Sequence, residues 1–257
     1  MNWRAHMHEN AMNWLTRGDR TVTLNPCLLM LFGNPHLFQS SEFDRMLTDS
    51  RSTGVFGSGC IDGRPISYCK PLFGAPAVAM YTEVAAALGA ERIIACGYVG
   101  GMDADMEIGS YVVPDSACAL DGCTRAYVPS LSNDTRFHAD PDLTSNLVDS
   151  LKQRRAAYQV APIVSIDALL LEDDAMIADF AARGLRCVDL ETACLYALGN
   201  RLGIPVAALH IVTDNPVRKT IDLGHHHEAA FREQILAAAG AFATPDRAER
   251  CDASNAR

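Results

Sequence analysis

The sequence predicts a single α/β domain whose sheet is covered by helices on both faces, and three observations carry that prediction. The apolar runs are continuous rather than alternating, as in strands buried on both sides. Those runs alternate along the chain with segments of helical pattern. No repeat, low-complexity stretch or linker divides the 257 residues, a length that α/β folds commonly occupy as one domain. Residues 21–244 are assigned to the domain, 1–20 to an N-terminal extension and 245–257 to a polar C-terminal tail.

The elements follow in order. Pro26 to Gly33 (PCLLMLFG) reads as a buried strand that ends in the turn Gly33-Asn34-Pro35. Ile66 to Lys70 follows the hairpin-type turn Asp62-Gly63. Pro76 to Leu88 is helical, with Pro76 suited to a first turn and Gly89 to the C-terminal end. Arg92 to Gly97 is a strand that runs into Gly97-Tyr98-Val99-Gly100-Gly101, which reads as a tight turn. Gly109 to Pro114, Val160 to Ser165 and Leu185 to Leu190 are further strands. A helix starts near Glu191 and stops before Gly203, Pro205 to Thr213 is the most strand-like run, and a last helix spans about His227 to Ala243.

Composition removes several classes of function. A formal net charge of -9 leaves no basic surplus to neutralise phosphates, so nucleic acid is not an expected partner. No apolar run reaches the length of a membrane span, and Met1 to Arg20 lacks the apolar core and cleavage site of a secretory leader. Nine cysteines occur with no C-x-x-C pair, and Cys27, Cys69, Cys96, Cys187 and Cys194 fall inside apolar runs. Reduced thiols in a cytoplasmic protein are expected rather than disulfides or zinc.

Two places carry polar residues where strands end. Gly97 to Asp105 (GYVGGMDAD) offers glycines that would let backbone amides approach a ligand. The segment lacks the G-x-G-x-x-G spacing, which argues against a nicotinamide-dependent oxidoreductase. Val188-Asp189-Leu190-Glu191-Thr192-Ala193 and Val212-Thr213-Asp214-Asn215 each set a carboxylate at the end of an apolar strand, where open α/β sheets bind ligands. Taken singly, Glu191 reads equally well as an acid answering a helix dipole, and Asp214 as a cap or turn residue.

In combination these segments resemble the nucleoside phosphorylase family, which includes uridine phosphorylases, hexameric-type purine nucleoside phosphorylases and methylthioadenosine nucleosidases. Gly33-Asn34-Pro35 resembles that family's G-D-P turn, and Asp62-Gly63-Arg64-Pro65 through Gly74-Ala75-Pro76 its D-G-x-P…G-G-P-S segment. Gly97 to Gly100 is similar to G-[ST]-x-G, Ile108-Gly109 to a step of x-V-G-D, and Leu120-Asp121-Gly122 to the L-D-G of uridine phosphorylases. Val188 to Tyr196 (VDLETACLY) resembles V-E-M-E-[AS]-A-x-L-Y, and Val212 to Asn215 resembles V-S-D-[NH]. The matches run in family order from about Leu28 to Asn215. The resemblance implies one domain with a central mixed sheet flanked by helices, a small-molecule nucleoside substrate, no cofactor, and a homo-oligomer from dimer to hexamer.

It also implies roles. Glu191 matches the glutamate that binds ribose hydroxyls, where its charge favours an oxocarbenium-like centre. Asp214 matches the acid that protonates or hydrogen-bonds a leaving purine. Gly33, Tyr98, Val99, Gly100, Asp189, Leu190, Asn215 and His227 are the implied substrate contacts, with Leu190 in place of the methionine under the sugar. His225, His226 and His227 are adjacent in sequence and cannot aim three rings at one ion from a regular helix, so no metal site is expected.

The departures concern phosphate. Ala95, Leu37 and Tyr98 stand where the family has an arginine, a second arginine and a small hydroxyl residue, and an arginine donated by a neighbouring subunit would fall near Ser52. Arg51 and Arg218 are the candidate anion ligands that replace them. Holding a phosphate dianion in a partly buried pocket without cations costs roughly several kcal/mol. Phosphorolysis, hydrolysis with His36 as the nearest base, and transfer to another acceptor are therefore all left open. The alternative is a nucleoside-binding protein, or a pocket reused without glycosidic cleavage.

Overall fold

The apolar runs become the middle of one mixed sheet. The computed structural model describes residues 3–33, 40–222 and 228–242. The helices are α1 (Trp3–Leu15), α2 (Ser40–Met46), α3 (Ala75–Ala87), α4 (Gly122–Tyr127), α5 (Pro141–Gln153), α6 (Asp174–Ala182), α7 (Thr192–Leu202) and α8 (Glu228–Ala241). The strands are β1 (Cys27–Phe32), β2 (Thr48–Thr53), β3 (Phe56–Ile61), β4 (Arg64–Leu72), β5 (Arg92–Gly101), β6 (Tyr111–Val113) and β7 (Ser116–Ala119) in the first half. They continue as β8 (Arg136–His138), β9 (Tyr158–Val160), β10 (Ile163–Ser165), β11 (Cys187–Asp189), β12 (Val206–Asn215) and β13 (Thr220–Ile221).

The sheet runs β2-β3-β4-β1-β5-β11-β10-β7-β8, and β12 joins it on β5 and carries β6 and β13. β1 lies parallel to β4 and β5, and β12 parallel to β5, whereas β11 meets β5 antiparallel. The sheet is thus mixed, as expected. Its central strands are buried because helices cover them: every residue of β1 after Cys27, and all of β12 except Asp214, is buried.

Strand β5 is the organising element. β12 occupies one of its edges from Ile93 to Gly100. The other edge is shared: β1 pairs with Arg92 to Cys96, and β11 with Gly100 and Gly101. Gly97, Tyr98 and Val99 are left between the two, in a gap where neither partner strand continues.

This corrects the reading of Gly97 to Gly101 as a turn. These residues are extended strand, and none of the three glycines has a positive φ. They are glycine because neighbours come close. A Cβ on Gly97 would stand 2.7 Å from Phe32 Cβ, and one on Gly101 would stand 2.9 Å from Met106 Cβ.

Helix ends follow their sequence signals. Pro76 lies in the first turn of α3, and Gly203 takes the left-handed conformation (φ 69°) that closes α7. The extension at 1–20 includes a helix: α1 packs against α3, buries Leu15 and accepts the Val55 amide at the Leu15 carbonyl (2.9 Å). The five cysteines singled out from the sequence are free thiols. Cys60 is the exception to the expected reduced state, since it is disulfide-bonded. Among the described residues no helix is long and apolar enough to cross a membrane.

Candidate active site

The gap on β5 is lined from three directions. From β1 comes Gly33, whose α-carbon packs on the Tyr98 ring; a Cβ there would stand 3.2 Å from Tyr98 Cδ2. From the start of α3 comes Gly74, and from the β11–α7 junction come Leu190 and Glu191. Val99 and Leu190 supply buried apolar surface, while Tyr98 stays partly exposed. Burial, with a further push from Cys96, raises the Tyr98 phenol to about 12, so it remains protonated at neutral pH.

Glu191 sits at the N-terminal end of α7 without capping it. That work falls to Asp189, which accepts the Thr192 amide (3.0 Å), the Thr192 hydroxyl, the Glu191 amide (3.3 Å) and the Ser165 hydroxyl (2.5 Å). Ser165 in turn accepts the Ala193 amide at 2.9 Å. The Glu191 carboxylate is thereby released toward the gap, where Gly74 N–H donates to Oε1 at 2.7 Å and Leu190 N–H to Oε2 at 3.2 Å. It is buried, and burial followed by the charge of Asp189 pushes it up to about 8, against the pull of those two amides. A buried carboxylate held by backbone donors, with no cation beside it among its described contacts, suits a ligand that brings positive charge or hydroxyl donors.

Asp214 reaches the same strand from the other edge. A register shift between Val212 and Asp214 sets Asp214 opposite Gly100, which also pairs with Val188 of β11. A Cβ on Gly100 would stand 2.8 Å from Asp214 Oδ2 and 2.9 Å from Val188 Cγ1, so only glycine admits the carboxyl at this depth. Burial raises the Asp214 carboxyl, and the Thr213 hydroxyl at 3.2 Å partly offsets that. The two acids therefore flank one strand end. Val188 and Asp214 lie two strand spacings apart, about 10 Å, and Glu191 follows Val188 by three residues.

Other residues singled out from the sequence are engaged elsewhere. Asp189 is consumed by the contacts above. Asn215 is fully buried and donates to the carbonyls of Asp103 (2.7 Å) and Met106 (3.0 Å), while its oxygen accepts the Arg218 amide (2.9 Å). It ties the 103–106 loop to the end of β12 rather than offering a free amide. Arg218 pairs with Glu107 at 3.7 Å and Lys219 with Asp174 at 3.5 Å. Arg51 is exposed on β2, and Ser52 lines a cleft of about 270 Å³ with Leu31, Tyr68 and Lys70. Ala95 is fully buried between Met30 of β1 and Ala208 of β12. Asn34, His36, Leu37 and the His225–His227 run lie outside the described residues, so the expected contact from His227 rests on sequence alone.

Two features were not read from the sequence. His210 is fully buried on β12; its Nε2 is 2.8 Å from the Thr192 hydroxyl, and its ring stacks on Phe32 at 6.1 Å. Burial drops its pKa to about 3, so it is a neutral strut of the Asp189–Thr192 cluster. Glu172, at the end of the 3₁₀ turn Leu169–Leu171, carries a buried Oε1 and feels the charge of Asp214. His210 lies inside an apolar run and Glu172 in the acidic stretch Glu172-Asp173-Asp174, so neither stands out by spacing. Among the described residues no His/Cys/Asp/Glu group is arranged to hold a metal ion.

The chain resembles known phosphorylases in sequence and in fold. A family model described as the phosphorylase superfamily matches residues 39–244. The chain is 30% identical over 158 residues to guanosine phosphorylase of Halorubrum lacusprofundi, covering 61% of this chain and 64%, a little under two thirds, of that relative. It is 26% identical over 205 residues to a DeoD-type purine nucleoside phosphorylase of Actinobacillus pleuropneumoniae, covering 79% and 84% of the two chains. It is 25% identical over 191 residues to uridine phosphorylase of Thermococcus kodakarensis, covering 68% and 66%. Among solved structures, uridine phosphorylase of Vibrio fischeri superposes with a TM-score of 0.71 at 19% identity, over 85% of this chain and 90% of that one, a likeness of fold.

Proposed function

This chain belongs to the phosphorylase superfamily, and from that premise we propose that it cleaves or exchanges the N-glycosidic bond of a purine-type nucleoside. Relatives named as guanosine, purine nucleoside and uridine phosphorylases make it a nucleoside phosphorylase-like pentosyltransferase. The observation that carries the finer reading is the pair of acids on either side of Gly100. Glu191 is aimed at the gap by Gly74, and Asp214 is seated against the α-carbon of Gly100.

In this reading Glu191 hydrogen-bonds the ribose hydroxyls, and once ionised, which in the free protein occurs as pH rises through about 8, its negative charge stabilises the cationic C1′ as the bond to the base breaks. The bonding pair leaves with the base. Asp214, whose carboxyl is held toward its protonated form by burial, gives the base a proton. The acceptor oxygen then bonds to C1′ and, where it is water, gives up a proton. Tyr98 and Val99 shape the sugar side and Leu190 lies under it, while Gly33 lets the Tyr98 ring pack closely and Gly100 admits the Asp214 carboxyl.

Incubation with a panel of nucleosides, with and without phosphate, tests the proposal by chromatography of the released base. Release of a purine base is the expected result; no base from any nucleoside in either condition overturns it. Dependence on phosphate would make Arg51 or Arg218 the replacement cations, and independence would make the enzyme a hydrolase or transferase. The same reading includes a homo-oligomer, tested by sedimentation, and a cytoplasmic location, tested by fractionation.

A second reading, nucleoside binding without cleavage, is favoured by two observations. Ala95 is walled into the sheet, and Arg218 and Lys219 are already paired with acids. Tight nucleoside binding in calorimetry with no turnover would select it.

A further inference from the structure

Three acids follow one another after β10, and the fold uses two of them. Asp173 caps α6 by accepting the Met176 amide at 2.8 Å, and Asp174 pairs with Lys219 at 3.5 Å. Glu172 does neither. Its amide donates to the Leu169 carbonyl (3.3 Å), which closes the 3₁₀ turn, and its side chain turns inward, where Oε1 is buried with no partner among the described residues. A buried acceptor left unpaired is costly, and native structures rarely keep one without a use.

The segment that carries Glu172 is held near the end of β12 by its neighbour: Asp174 pairs with Lys219, five residues beyond Asp214, at 3.5 Å, and the charge of Asp214 adds to the effect of burial on the Glu172 carboxyl. Exposed apolar residues adjoin both acids along the chain: Leu169, Leu170 and Leu171 precede Glu172, and Val217 and Ile221 follow Asp214, with Ile221 paired to Asp214 across β12 and β13. Apolar walls around a few convergent polar groups are what a flat heteroaromatic ring requires. The vacant valence at Glu172 is an acceptor, so the ring edge it reads must carry a donor.

We propose that Glu172 is a specificity-determining residue of this site, whose carboxylate accepts a hydrogen bond from an exocyclic amino group of the nucleobase. The inference rests on the nucleoside reading above and extends it, because nothing in that reading needs Glu172. An aminopurine nucleoside is then favoured over its counterpart lacking the amino group. Glu172 is held up to about 7, first by burial and then by the charge of Asp214. The preference therefore strengthens as pH rises through neutrality and the carboxylate forms.

The amino group can be the 2-amino of guanine or the 6-amino of adenine, and two matched pairs separate them. Guanosine and inosine differ by the first, and adenosine and purine riboside by the second. Dissociation constants by calorimetry, and kcat/KM where turnover occurs, are measured for all four from pH 6 to 8.5 on the wild type, Glu172→Gln and Glu172→Leu. The wild type is expected to prefer the amino-bearing member of one pair by about tenfold to hundredfold. Glu172→Leu brings that ratio near one while leaving the amino-free member almost unchanged. Glu172→Gln, an isosteric acceptor, keeps most of the ratio and loses its pH dependence. Equal losses for both members of a pair, or a ratio that Glu172→Leu leaves intact, overturn the inference. If the ratio behaves as expected and no base is released, the cleavage reading fails and this one stands. If no nucleoside binds the folded wild type, both fall.

Discussion

Gly100→Ala is the substitution whose consequence is worked most directly from the structure. The new methyl carbon would stand 2.8 Å from Asp214 Oδ2 and 2.9 Å from Val188 Cγ1. Ordinary van der Waals contact begins near 3.4 Å, so each neighbour has to yield by about half an ångström or more. Val188 is a buried residue of β11 packed with Leu190 and Ile166, and it resists. The Asp214 carboxyl yields more readily, because among the described residues its side-chain partner is the Thr213 hydroxyl. Overpacking of this kind costs about 1–3 kcal/mol, equivalent to about 2–12 °C in Tm for a chain of this size. A displacement approaching 1 Å at a proton donor lowers catalysis by up to about a hundredfold. Thermal melts followed by circular dichroism, with base-release kinetics on the folded variant, read both effects. The expected result is a modest fall in Tm with a large fall in kcat. A variant with wild-type Tm and wild-type rate would refute the packing of Asp214 on Gly100 and the role built on it.

Glu191→Gln is expected to lose base release while gaining relative stability at alkaline pH. The folded-state pKa of Glu191, about 8, lies above that of an unfolded glutamate, so the stability it contributes is complete below about pH 4.3 and is lost as pH rises through 8. The difference in Tm between variant and wild type should therefore grow from pH 5 to pH 9; a constant difference would show that Glu191 is not desolvated as described. Asp214→Asn should lower kcat by about 10²–10⁴ with little change in nucleoside affinity, and a KM effect alone would assign Asp214 to binding. Asn215→Ala removes two hydrogen bonds that tie the 103–106 loop to β12 and a third from the Arg218 amide, so amide exchange should speed up in that loop with a loss of about 1–3 kcal/mol; unchanged exchange would contradict that tether.

Much of the frame was legible because the core strands are long and apolar on both faces. Cys27–Phe32 and Val206–Asn215 could be read from composition alone, and α3 and α7 from Pro76 and Gly203 at their ends. Strands β6 to β11 have only three or four residues each, too few for a period to show. Glycines 97, 100 and 101 looked like a turn because sequence does not reveal that Phe32, Val188, Asp214 and Met106 crowd them from neighbouring strands. The acids divide in the same way. Asp189 and Glu191 are two residues apart, and only the fold shows that Asp189 caps α7 so that Glu191 can face the gap. Asp214 was found through its place at the end of β12. Glu172 was missed because the distinction among three successive acids lies in their partners.

A crystal structure with a bound purine nucleoside tests the central claim most directly. The ribose hydroxyls should lie within hydrogen-bond distance of Glu191 and the base ring beside Asp214 at Gly100, with Tyr98 and Val99 along the sugar. A nucleoside seated anywhere else on the protein, or one that touches a single acid and leaves the other facing away from it, would contradict the account.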